Sequence, residues 1–82
     1  MDSRERYELL RSVAQQIRVR RGDLLGAAMA DGGKTVFESD PEVSEAIDFV
    51  EFYAKTALEL QEDAAIQNRP VGAVIVISPW NF

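Results

Sequence analysis

The sequence predicts an α/β fragment: three helices, then one strand that opens a larger α/β domain. Three observations carry this. Apolar residues recur at three- and four-residue steps through residues 4–60, the period of helices with one packed face. The run Val71-Gly-Ala-Val-Ile-Val-Ile77 is apolar throughout and mostly β-branched, as in a strand buried on both faces. No second run offers itself as that strand's partner.

The first helix is predicted over residues 4–20. Tyr7, Leu10, Val13, Ala14 and Ile17 share one side, with Arg, Glu and Gln between them. Asp2 or Ser3 supplies the start, because a short oxygen-bearing side chain accepts from a free N–H of the first turn. Arg18, Arg20 and Arg21 fall at its end, where cations suit the helix dipole. That role accounts for them better than phosphate binding.

Gly22 breaks the pattern, and a shorter helix over 22–31 follows, with Leu24, Leu25, Ala28 and Met29 as its apolar side. Gly32-Gly33 closes it, since glycine past a helix end takes the left-handed conformation without penalty. The third helix is predicted over 39–60. Ser39-Asp-Pro-Glu42 reads as a capping box with Pro in the first turn. Thr35-Val-Phe-Glu38 is a second box one turn earlier. Val43, Ala46, Ile47, Val50, Ala54, Ala57 and Leu58 form its stripe, widened by Phe49, Tyr53 and Leu60. Phe52 falls on the opposite face, among Glu45, Asp48, Lys55 and Glu59. Glu51 and Lys55 stand at the spacing of a helical ion pair.

Gly33-Lys34-Thr35 looks like the end of a phosphate-binding loop. That loop needs a glycine five residues earlier and a strand before it. Residue 28 is Ala and the preceding segment reads as helix, so nucleotide binding there is rejected.

With 82 residues the chain holds at most one small domain. It contains neither Cys nor His, which excludes disulfides and the usual zinc sites, and no metal site is expected. Nine basic and fourteen acidic residues leave a net charge of −5. Residues 1–34 carry seven Lys/Arg against five Asp/Glu, and residues 35–82 carry two against nine. Such an acidic second half argues against a nucleic-acid partner. No apolar run is long enough for a membrane span, and the charged N-terminus lacks a signal core. A cytoplasmic location is expected.

Residues 61–70 form a polar connection ending at Pro70, and the strand follows over 71–78. A lone strand leaves its backbone donors and acceptors unpaired, and a parallel neighbour needs a crossover of a dozen or more residues. The sequence therefore reads as the opening of a domain whose remainder lies elsewhere.

Ile77-Ser-Pro-Trp-Asn-Phe82 resembles the aldehyde dehydrogenase superfamily, where an apolar strand runs into I-x-P-W-N. The likeness extends back through Pro70-Val-Gly72, Phe52-Tyr-Ala54, Glu42-Val-Ser-Glu-Ala-Ile-Asp-Phe49, Gly33-Lys-Thr35 and Arg20-Arg-Gly-Asp-Leu-Leu25. The wording around Glu42–Ala54 is most similar to the pyrroline-5-carboxylate (glutamate semialdehyde) dehydrogenase branch, which includes bifunctional proline-utilisation proteins.

This resemblance implies a Rossmann-like cofactor domain begun by the strand, with NAD or NADP as cofactor. It implies oxidation of an aldehyde, glutamate semialdehyde in that branch, to a carboxylic acid. In the family a Cys thiolate attacks the aldehyde, and an Asn amide donates to the oxyanion that forms. Here that residue is Asn81. The positions matching Ile77, Ser78, Pro79 and Trp80 line the dinucleotide pocket. The implied partner is the remainder of the domain, within a homo-oligomer of the full-length protein. The nucleophile and the general-base Glu are not among these 82 residues, so the chain is expected to be inactive alone. The alternative is a small acidic helical interaction module, motivated by the outward Phe52.

Overall fold

The computed structural model describes residues 1–79, and its regular elements are three helices, α1 (Ser3–Val19), α2 (Arg21–Gly32) and α3 (Val36–Glu62). Helix α1 starts on a full capping box. The Asp2 carboxylate accepts from the Glu5 N–H, and the Asp2 N–H donates to Glu5 Oε2, both at 2.8 Å. Two of the orphan donors of the first turn are thereby satisfied.

The break after α1 falls at Arg20, not at Gly22. Arg20 leaves the helical region at φ −93°, ψ 12°, and Gly22 lies inside the first turn of α2. A single residue turns the chain because the Arg20 N–H still donates to the Gln16 carbonyl while its own carbonyl accepts from the Leu24 N–H. At the far end Gly33 takes φ 64°, the left-handed conformation expected of it, and its N–H donates to the Met29 carbonyl.

Helix α3 uses the earlier of its two candidate boxes. Thr35 caps it, paired reciprocally with Glu38. Ser39 and Pro41 therefore lie inside the helix instead of at its start. Pro41 has no N–H for the Phe37 carbonyl, and Phe37 itself is 88% exposed. At 27 residues the helix is about 40 Å long and serves as the floor for the other two.

Helices α1 and α3 run antiparallel. Arg4 near the start of α1 pairs with Glu62 at the end of α3, at 2.5 Å. Arg18 near the end of α1 pairs with Glu51, at 2.6 Å. Between these pins Ala14, Val43 and Ile47 form the buried core, with Ile17, Leu25 and Val50 packed against it. Ala54 is also buried. Of the predicted α3 stripe, Ala46 and Ala57 remain exposed.

Glu51 is spent on α1, so the predicted Glu51–Lys55 pair does not form. Lys55 pairs instead with Glu59, at 3.6 Å.

Beyond α3 the chain makes one turn, in which Asp63 Oδ1 accepts from the Ala65 N–H and the Asp63 carbonyl from the Ile66 N–H. Asn68 Nδ2 then donates to the Leu60 carbonyl at 2.6 Å, tying the connection to the end of the helix. The predicted strand over 71–78 is not present among the described residues. Val71, Ile75 and Ile77 are 86%, 86% and 90% exposed. A strand needs a neighbour to take its hydrogen bonds, and three helices with satisfied backbones offer none.

Candidate functional site

The residues expected to act lie at the end of the tail. Ile77, Ser78 and Pro79 are exposed and belong to no regular element. Trp80 and Asn81 lie outside the described residues. The three that are described do not form a cradle for a dinucleotide: Ile77 is 90% exposed, and no second wall faces it among the described residues. They present an aliphatic side chain, a hydroxyl and a proline ring to solvent.

Two other stretches weighed for phosphate binding have structural work instead. In Gly33-Lys34-Thr35, the Lys34 ammonium is held by the Glu42 carboxylate. Thr35 Oγ1 accepts from the Glu38 N–H at 3.3 Å and donates to Glu38 Oε2 at 3.0 Å. The Thr35 N–H donates to the same carboxylate oxygen at 2.8 Å. The Glu38 carboxyl is held below its ordinary range, first by that backbone N–H and next by the Thr35 hydroxyl. Desolvation opposes this, and the Lys34 charge adds a smaller lowering. Lysine and threonine here fasten a helix start and leave no cation for a phosphate.

The arginine cluster is likewise taken up by carboxylates. Arg18 holds Glu51, and Arg20 holds Asp23 at 3.0 Å. Arg21 is half-buried and reaches three acceptors on α3: the Asp40 carboxylate, the Asp40 carbonyl at 3.2 Å and Ser44 Oγ at 2.7 Å. The planar fork of a guanidinium suits that arrangement. These contacts span nineteen and twenty-three residues, so no local pattern signals them.

A further surface is aromatic. Phe52 is 63% exposed and meets Tyr53 edge to face at 5.2 Å, while Phe49 lies 6.0 Å from Tyr53. The outward Phe52 was legible from the helical period.

A model of the aldehyde dehydrogenase family matches residues 1–82. The chain belongs to the aldehyde dehydrogenase family. It is 38% identical over 88 residues to 1-pyrroline-5-carboxylate dehydrogenase 1 of Halalkalibacterium halodurans, covering 95% of this chain and 17% of that protein. It is 33% identical over 88 residues to 1-pyrroline-5-carboxylate dehydrogenase 2 of Bacillus subtilis, with the same coverage of 95% and 17%. With 1-pyrroline-5-carboxylate dehydrogenase of Geobacillus sp. the identity is 33% over 87 residues, covering 94% and 17%. The chain thus spans about one sixth of the length of these relatives. No solved structure matches it. Among the described residues no helix is long and apolar enough to cross a membrane. A family match along the whole chain leaves the interaction-module alternative without independent support.

Proposed function

We propose that the chain is the N-terminal helical part, with the first cofactor-domain strand, of an NAD- or NADP-dependent aldehyde dehydrogenase. Its substrate is glutamate semialdehyde, oxidised to the carboxylic acid. The observation that carries this reading is the unbroken match to the family over residues 1–82, with relatives named 1-pyrroline-5-carboxylate dehydrogenase. Residues 71–78 become a strand of a Rossmann-like sheet once neighbouring strands take up their hydrogen bonds. Ile77, Ser78, Pro79 and Trp80 then line the dinucleotide pocket. Asn81 donates its side-chain amide to the oxyanion. The 82 residues have no Cys and hence no thiol nucleophile, so they are inactive alone. The enzyme is a cytoplasmic homo-oligomer.

A chimaera tests the site assignments. Residues 1–82 replace the matched stretch of the Halalkalibacterium halodurans relative, and pyrroline-5-carboxylate-dependent cofactor reduction is measured. Turnover is expected. Asn81→Ala in the chimaera lowers kcat by about 100- to 1000-fold with little change in cofactor affinity, because the donor meets the charge only as it develops. Asn81→Asp is at least as harmful, since a carboxylate donates nothing and repels that charge. Trp80→Ala weakens cofactor binding first. Near-parental turnover for Asn81→Ala rules out the oxyanion role.

A further inference from the structure

Counter-charge is plentiful in this chain, with fourteen acidic side chains against nine basic. Seven of the nine Lys and Arg side chains pair with a carboxylate. Among the described residues the two that do not are Arg6 and Arg69. They are far apart in sequence, yet they line the same cleft. It is an open space of about 440 Å³ between the start of α1, the end of α3 and the connection that follows.

The rest of the lining supplies hydrogen-bond donors and no carboxylate. Ser3 brings a hydroxyl. Gln61 gives its Oε1 to Arg6, which leaves its amide N–H groups. Asn68 donates one amide N–H to the Leu60 carbonyl at 2.6 Å and keeps the other. The acidic residues nearest in sequence are engaged elsewhere. Asp2 and Glu5 close the α1 capping box, Glu62 is held by Arg4, and Asp63 accepts from the Ala65 N–H.

Arg6 is half-buried, and its bonds to Gln61 Oε1 and the Met1 carbonyl are long, at 3.4 and 3.5 Å. A guanidinium met only by distant neutral oxygens retains most of its capacity for an anion. Arg69 is set between Asn68, which is tied to α3, and Pro70, which restricts it to an extended conformation.

We infer that this cleft binds a small free anion with at least two acceptor oxygens, a phosphate or a dicarboxylate, held between the Arg6 and Arg69 guanidinium groups. The planar fork of each matches a pair of such oxygens. The lining residues fall between 3 and 70, so the walls do not depend on where the tail leads. The inference does not rest on the proposed activity.

The test is isothermal titration calorimetry of the 82-residue chain with inorganic phosphate and, separately, with succinate, at constant ionic strength. Binding of either, with a dissociation constant of about 1 mM, supports the inference and tells which acid the cleft takes; that is the scale of two charge-assisted contacts. Arg6→Gln and Arg69→Gln each weaken it by about tenfold or more, while the helical far-UV spectrum stays unchanged. Arg11→Gln removes the same charge outside the cleft and leaves binding as it was. Binding of neither acid overturns the inference. So does binding that survives Arg69→Gln, or that Arg11→Gln weakens as much. Repeating the titration on the active chimaera with and without Arg69→Gln separates a free ligand from an acidic group of the remaining domain. The Arg69-dependent part of the binding persists in the first case; it is absent in the second, which overturns the inference.

Discussion

The tail over residues 63–79 is at least as apolar in sequence as the helical body over 3–62, yet the two end up in opposite states. Each helix satisfies its backbone within itself, apart from its ends and the Phe37 carbonyl that faces Pro41, and the ends are closed by Asp2, Gly33, Thr35 and Asn68. Burying one face against two neighbours is then enough to hold it. The tail has the more strongly apolar run, yet it stays bare, because a strand's backbone is satisfied only by another strand. Hydrophobicity selects what is to be buried. Where the hydrogen bonds go decides whether it can be.

The contrast is broken most forcefully at Ile47. This side chain is 4% exposed in a core of very few residues. Ile47→Ala is expected to cost about 2–5 kcal/mol, most of what a body this small possesses. Thermal melting followed by far-UV circular dichroism should lose its cooperative step. Ile75→Ala, an equally large truncation in the tail, should shift the melt by no more than about 0.5 kcal/mol equivalent. Equal effects at the two positions would mean that the tail packs against the body.

Arg21 comes next. Arg21→Ala removes the contacts to Asp40 and Ser44 that fasten α2 to α3. Partial exposure of the pair limits the loss to about 1 kcal/mol. Arg21→Lys should recover only part of it, because one ammonium cannot span a carboxylate and a hydroxyl as the guanidinium fork does. Urea midpoints for the two variants measure the difference.

What was legible in the sequence follows the same division. The three helices are local objects, and their period, caps and closing glycines stand in plain view. The errors were local as well. In sequence the pattern breaks at Gly22, since glycine disfavours helix interiors, but at the second position of α2 that preference matters little. The Thr35 box won over the Ser39 box because Glu38 completes it from both directions. The tertiary pairs of Arg4, Arg18 and Arg21 could not be read, since their partners are distant in the chain and any acidic residue on α3 would have matched as well. The expected Glu51–Lys55 pair failed for this reason: a partner across the interface took Glu51. Of the candidate site, Ile77 to Asn81 were legible as a motif only. Ile77, Ser78 and Pro79 belong to no regular element, and Trp80 and Asn81 lie outside the described residues.

The α3 start gives a smaller and pH-dependent prediction. Thr35→Ala should cost about 1 kcal/mol by removing the cap. Glu38 contributes with a definite sign. Its carboxyl is lowered in the folded chain, so its contribution is present above the ordinary Glu range and is lost as pH falls through the lowered value. Glu38→Gln should therefore melt lower than the parent at neutral pH, and the gap should close on acidification. A gap that is constant with pH would show that charge on Glu38 is not what the cap uses.

The smallest effect is expected at Ser39, and its sign is the informative part. Ser39 is 1% exposed, and its Oγ has no hydrogen-bond partner among the described residues. It was expected to cap α3 from outside, but the helix began earlier and carried the hydroxyl into the packed interface. A buried hydroxyl without a partner is a cost, and alanine is the better helix former by a few tenths of a kcal/mol. Ser39→Ala should therefore leave the chain as stable as the parent or raise its melting temperature by a few degrees, at about 4–8 °C per kcal/mol for a domain of this size. Ser78→Ala in the exposed tail should leave the melt unchanged. If Ser39→Ala instead lowers the melt, the hydroxyl has a partner in solution, and the place to look is the Thr35 carbonyl one turn back, which already accepts from the Ser39 N–H at 3.0 Å.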